Sequence, residues 1–239
     1  MPGGLDLAAA AAAVFAGALL QGAVGFGYAL VAAPILFMID GRLVPGPVLL
    51  GALMLTALCA RRDWTAIDFE GFGWGLMGRV PGTLLGAAAV SVIPADRFAA
   101  PLGALVLIAV AMTGSGVRID PNPRTLAGAG LLAGFMGTTS SIGGPPLAMV
   151  YQHAPGDRLR GTLSVYFVVG CLMSLSALAV VGRLGTYELT WGAALLPGVV
   201  LGFALSKRLT PWVDRGYTRP AVLAVSAAAG IGVVARALW

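Results

Sequence analysis

From Gly134 to Tyr151 the chain reads GFMGTTSSIGGPPLAMVY, an apolar stretch that cannot form one unbroken helix. Gly143 and Gly144 weaken a helix, and Pro145 and Pro146 lack an N–H and crowd the preceding turn. Thr138, Thr139, Ser140 and Ser141 stand just before the break. Pro145 suits the first turn of a new half-helix, and Gly144 the position before it. At bilayer depth such a break survives only when buried in protein or lining a wet cavity. The new half-helix then turns its free N–H groups and positive dipole end toward that cavity, a setting for an anion. A kink that only packs helices is the competing reading. The convergence of hydroxyls on a helix start favours a substrate site.

Composition puts the break in a bilayer. Of 239 residues 58% are apolar and only 10% charged, where a soluble domain carries about 25% charge. Several apolar runs approach or exceed the ~20 residues that cross a bilayer. The expected fold class is therefore an all-α polytopic membrane protein, with lipid as its main surroundings. The first residues, MPGGLDLAAAAAAVF, contain no Lys or Arg and so no basic leader region. The net charge of +5 comes from loop arginines with no aromatic interleaving, so no nucleic-acid partner is expected. Cys59 and Cys171 have no CxxC spacing and read as small core residues. His153 is the single histidine, which argues against a histidine-based metal site. No cofactor is expected.

The apolar segments run 5–39, 44–60, 69–93 and 98–113 in the first half, and 125–153, 163–181, 189–205 and 221–238 in the second. The first is interrupted near Gly22–Gly27 and at Pro34, and the fifth at Gly143–Pro146. The halves, 1–117 and 118–239, match in order. Trp74-Gly75 and Pro81-Gly82 recur as Trp191-Gly192 and Pro197-Gly198, and Gly51-Ala52-Leu53-Met54 recurs as Gly170-Cys171-Leu172-Met173. Gly17, Gly27 and Leu30 match Gly134, Gly144 and Leu147. An ordered series of this kind indicates an internal duplication. Gln21 to Tyr28 then stands where Thr138 to Pro145 stands, and paired broken segments in matching halves point to a transporter's binding site.

Basic residues choose between two topologies. If both broken segments cross fully, the two sides hold eight and six basic residues. If each is a re-entrant hairpin, one side holds Arg61, Arg62, Arg118, Arg124, Arg158, Arg160, Lys207, Arg208, Arg215 and Arg219. The other keeps Arg42, Arg97, Arg183 and Arg236. Positive residues favour the cytoplasm, so the hairpin model is expected. Each half then has a hairpin plus three crossings, and the odd number inverts one half against the other.

Arg79 lies about ten residues into the third segment. An Arg at that depth costs about 2.5–3.5 kcal/mol on insertion scales and faces a cavity or a partner. Its fork can grip a sulfonate or carboxylate with two hydrogen bonds; the competing reading is snorkelling to the interface. The candidate substrate-binding residues are Gln21, Gly25, Gly27, Tyr28, Arg79, Thr138, Thr139, Ser140, Ser141, Gly143 and Gly144. Tyr166 and Ser164 are weaker candidates for the path, with packing an equal alternative. No paired carboxylates or metal cluster mark an intramembrane enzyme, and no Walker loop marks an ATPase. An anion channel or a carrier of another small carboxylate-type anion remains as the alternative. Small-residue helix faces also suit a homodimer.

The duplicated four-segment plan, GAVGFGYALVAAPIL in the first half and GFMGTTSSIGGPPLAMVY in the second resemble the sulfite exporter TauE/SafE family. The resemblance covers nearly the whole chain. It implies a multi-pass carrier of the bacterial inner membrane that exports sulfur-containing anions such as sulfite or organosulfonates. Where the family often has consecutive glycines, this chain reads Gly25-Phe26-Gly27.

Overall fold

The computed structural model describes residues 4–67, 69–94, 97–117, 119–152, 154–214 and 218–238. Arg118, His153 and Arg215 lie outside them, as do the side chains of Arg219 and Arg236. The described residues form ten α-helices: α1 Gly4–Val24, α2 Tyr28–Ile39, α3 Gly46–Arg62, α4 Phe69–Val92, α5 Ala99–Gly114, α6 Pro123–Ser140, α7 Gly144–Tyr151, α8 Gly156–Val180, α9 Thr186–Asp214 and α10 Thr218–Leu238. Five stretches among the described residues are long and apolar enough to cross a membrane: Leu5–Val24, Gly41–Arg62, Gly71–Val92, Gly156–Val180 and Thr186–Arg208.

Both broken segments are broken where glycine and proline demand it. The link from α1 to α2 carries Gly25 at φ 103° and Gly27 at φ 114°, conformations that a side chain resists. The link from α6 to α7 turns at Ser141, which adopts φ 65° despite its Cβ. Pro34, by contrast, sits inside α2 without ending it. The helices also outrun the apolar runs: α8 starts at Gly156 rather than Leu163, and α9 continues to Asp214 rather than Leu205. Hydropathy marks which residues meet lipid, whereas helical hydrogen bonding continues through polar turns such as Asp157 to Arg160.

The helix pairings come in matched sets. α4 lies along α6 as α9 lies along α1; α3 packs on α9 as α8 packs on α4; α2 packs on α10 as α7 packs on α5. α3 meets α8 and α5 meets α10 directly. The closest pairs are backbone to backbone. Gly78, Gly82 and Gly86 face the main chain at Ala127, Leu131 and Phe135, so α4 and α6 run parallel. Gly198 and Gly202 face Ala11 and Phe15 in the same way. Lipid tails are as apolar as leucine, so such helices associate through close van der Waals contact, and a four-residue spacing of small residues is what permits it.

Each short helix folds back on its long one. Tyr28, the first residue of α2, lies against Gly17 of α1. The end of α7 returns to the start of α6, for Tyr151 and Leu126 both touch Gly71, and Gln152 Nε2 donates to the carbonyl of Val117. Two apolar cores result, and Phe26 packs against both.

A Cβ at Gly82 would stand inside contact distance of the Leu131 backbone. Gly82→Val should cost about 3 kcal/mol or more and abolish cooperative unfolding in detergent. Gly73→Ala, on the same helix with nothing within 4 Å, should melt at or above the parent temperature. A stable Gly82→Val protein would show that the α4–α6 contact is not what holds the halves together.

Candidate functional site

The two breaks meet. Phe26, in the first link, packs on Gly144, the first residue of α7. Between them lies a cavity of about 40 Å³, room for roughly three waters or one small oxyanion. Gln21, Gly27 and Tyr28 line it from the first half, and Ser141, Gly143, Gly144 and Pro145 from the second. α3 adds Leu49 and Ala52, α8 adds Phe167 and Cys171, and α4 adds Arg79.

Arg79 is only 2% exposed. Among the described residues it is the one charged side chain that is buried. Its Nε and Nη1 have no hydrogen-bond partner. The guanidinium carbon stands 5.0 Å from the centre of the Tyr166 ring, a cation–π distance. Tyr166 is itself held to α4, its hydroxyl donating to the carbonyl of Gly75 at 3.2 Å. The guanidinium occupies the space that a Cβ on Gly170 would take, and Gly137 closes against its Nη2. An unpaired buried cation is costly, so this corner of the cavity favours an anion.

The helix starts contribute less than their dipoles suggest. Gln21 Oε1 accepts the N–H of Tyr28 at 3.0 Å, which caps α2 from within the chain. Pro145 and Pro146, near the start of α7, have no N–H to offer. The Tyr28 hydroxyl is buried without a partner and reaches Gly51 on α3. Gly51 and Gly170 are matching positions of the two halves, and each makes room for a polar group at the cavity. The sequence match of these glycines was visible, but only contact geometry shows what they accommodate.

The remaining hydroxyls divide. Ser141 lines the cavity and donates to the carbonyl of Pro45 at 3.0 Å. Thr139 donates back to Phe135 and Ser140 to Met136, each one turn earlier in α6. Thr138 bonds Ser174 of α8 at 2.9 Å. These three are buried but do not line the cavity. Gly25 lies beside it, against Leu159 and Arg160. Ser164 is buried on α8, away from the cavity wall.

Two further features flank the cavity. A wider vestibule of about 490 Å³ is lined by Asp40, Arg42, Pro45, Arg183 and Glu188. Hydrogen bonds from the Arg42 side chain, joined by its backbone N–H and the Tyr187 hydroxyl, hold the Asp40 carboxyl down to about 2. The Pro45–Ser141 contact separates this vestibule from the cavity. On the other flank Arg62 donates to the carbonyl of Gly22 at 2.8 Å and pairs with Asp63 at 2.8 Å. Arg160 Nε lies 3.9 Å from the same Asp63.

Among the described residues no group of His, Cys, Asp and Glu could hold a metal ion. Comparison with curated proteins and with solved structures gives no match. Residues 9–233 match one family, described as Sulfite exporter TauE/SafE.

Removing the Arg79 fork should remove the site. Arg79→Ala should abolish anion binding, and Arg79→Lys should restore little of it, because one ammonium cannot reproduce two prongs. Gly170→Ala should displace the guanidinium and weaken binding by roughly tenfold to a hundredfold, the range for charged hydrogen bonds of about 1.5–3 kcal/mol. Ligand titration of protein that still unfolds cooperatively measures both. Wild-type binding by the Arg79→Ala protein would remove Arg79 from the site.

Proposed function

The chain belongs to the sulfite exporter TauE/SafE family, and we propose that it exports a small sulfur-containing anion, sulfite or an organosulfonate, by alternating access across a bacterial inner membrane. Membership makes it a multi-pass membrane transporter rather than an enzyme. The observation that carries the finer reading is the meeting of both broken segments at one small cavity that contains an unpaired guanidinium.

In this reading residues 1–117 and 118–239 are repeats inverted about an axis in the membrane plane. Each is a re-entrant hairpin followed by three crossings. The matched pairings of α4–α6 with α9–α1, and of α3–α9 with α8–α4, support it. So does the return of α7 to the first turn of α6. The vestibule then opens on the arginine-poor, outer side, and the Arg62–Asp63–Arg160 cluster faces the cytoplasm. Transport moves the hairpins against the other helices, opening the Pro45–Ser141 contact on one side and the Arg62–Gly22 contact on the other. The glycines at positive φ are the joints.

Two measurements test these claims separately. Cysteines introduced beside Arg118 and Arg158, with Cys59 and Cys171 replaced, should both label from the cytoplasmic face. Labelling from opposite faces would mean that the fifth segment crosses and the hairpin model fails.

The cargo is tested by titrating purified protein with sulfite, sulfoacetate, taurine, thiosulfate, small carboxylates and metal cations, followed by flux into sealed vesicles. At least one sulfur anion should raise the melting temperature and show saturable, competed flux. Stabilisation by cations alone would overturn the anion assignment. Flux that never saturates would make the protein a channel.

A further inference from the structure

Building on the carrier reading, we propose that the central site takes a singly charged anion and that the membrane potential acts on the empty carrier rather than on the loaded one. The argument is an account of charge around the cavity. Arg79 is the buried charged side chain of the described residues, and two of its nitrogens lack partners. Among the described residues no carboxylate lines the cavity. On the vestibule flank two carboxylates, Asp40 and Glu188, stand with two arginines, Arg42 and Arg183; on the other flank Asp63 stands with Arg62 and, more loosely, Arg160, an excess of one positive charge on residues that do not line the cavity.

At the helix starts the first N–H of α2 is taken by Gln21, and Pro145 and Pro146, the second and third residues of α7, have none. The N–H groups that remain, on Ala29 and Leu30 of the cavity wall and on Gly144, are neutral and supply no second full charge. The Tyr28 hydroxyl and the Tyr166 ring are neutral. One negative charge therefore cancels the guanidinium, whereas a second would stand without a cation in a cavity of about 40 Å³. With a monoanion bound, the site is neutral and voltage does no work when access switches from one side to the other. Empty, the Arg79 charge changes its place in the field as the hairpins close the approach on one side of it and open the approach on the other.

The probes are methanesulfonate and sulfate, oxyanions of similar size that carry one and two charges at neutral pH. Methanesulfonate should bind the purified protein roughly tenfold to a thousandfold more tightly, the range over which one neighbouring charge alters an ionisation in proteins. In liposomes, voltage steps on the empty protein should give transient charge movement that saturating methanesulfonate suppresses. Exchange of methanesulfonate on both sides should carry no current. Cys171, next to Gly170 in the cavity wall, offers a controlled pair of variants. Cys171→Asp supplies a carboxylate beside Arg79 and should remove both binding and the transient. Cys171→Asn, of the same shape but neutral, controls for the change of shape: its transient should exceed that of Cys171→Asp. Sulfate binding as tightly as methanesulfonate, or exchange that carries current, overturns the inference and leaves the carrier reading intact. If the Cys171→Asp protein fails to fold, the ranking of the two anions on the wild type decides. Binding of neither anion, nor of any other, overturns the carrier reading itself.

Discussion

A guanidinium buried with no counter-ion among the described residues sets the terms for everything around it. Such a group is tolerated only where surrounding structure over-determines its position and something favourable compensates. Here the position is fixed by glycine. Gly78, Gly82 and Gly86 let α4 press against the α6 backbone, which carries Arg79 into the interior instead of leaving it at the lipid face. Gly170 and Gly137 leave a slot for the planar fork, and Tyr166 lays its ring under it. A side chain at any of these glycines would either separate the helices or evict the charge. These glycines are thus an energetic requirement of the buried Arg79 charge.

The broken helices solve a different problem, the satisfaction of backbone groups where lipid offers no partner. The two halves solve it differently. The first uses a side chain, Gln21, to cap the exposed start of α2. The second removes two donors by placing prolines second and third in α7, and it anchors the link through the Ser141 hydroxyl on Pro45. The proposed duplication would account for the common plan. The divergence leaves the cavity with one wall that is capped by an amide and another that has few donors.

Much of this was legible in the sequence because glycine and proline act locally. The breaks at Gly25–Gly27 and Gly143–Pro146 need no knowledge of neighbours, and a lone Arg in an apolar run announces its own cost. Thr138, Thr139 and Ser140 were not legible in the same way. A hydroxyl in a helix can point to a ligand or donate to the carbonyl one turn back, and sequence does not distinguish these. Thr139 and Ser140 take the second course. The helix ends at Gly156 and Asp214 escaped hydropathy because polar turns continue a helix beyond the lipid. Gly51 and Gly170 signalled repetition, and their partners, the Tyr28 hydroxyl and the Arg79 guanidinium, come from elsewhere in the chain.

The two walls that separate the cavity from its flanks are of unequal strength. Toward the vestibule the direct tie is a neutral hydrogen bond from Ser141 to Pro45, worth about 0.5–1.5 kcal/mol net. Ser141 itself sits in the left-handed region, which costs a non-glycine residue roughly 1–2 kcal/mol. That strain offsets much of what the bond contributes. On the opposite flank Arg62 gives a charged bond to Gly22, in the range of about 1.5–3 kcal/mol, and Asp63 fixes its orientation. The side chains of Arg62 and Asp63 are only 17% and 14% exposed, so water screens them little. This conformation is therefore held more firmly on the side of Arg62 than on the side of Pro45. In the proposed export direction, an anion leaving toward the vestibule would meet the weaker wall, while one arriving from the Arg62 side would first compete with a carbonyl and a carboxylate for that arginine.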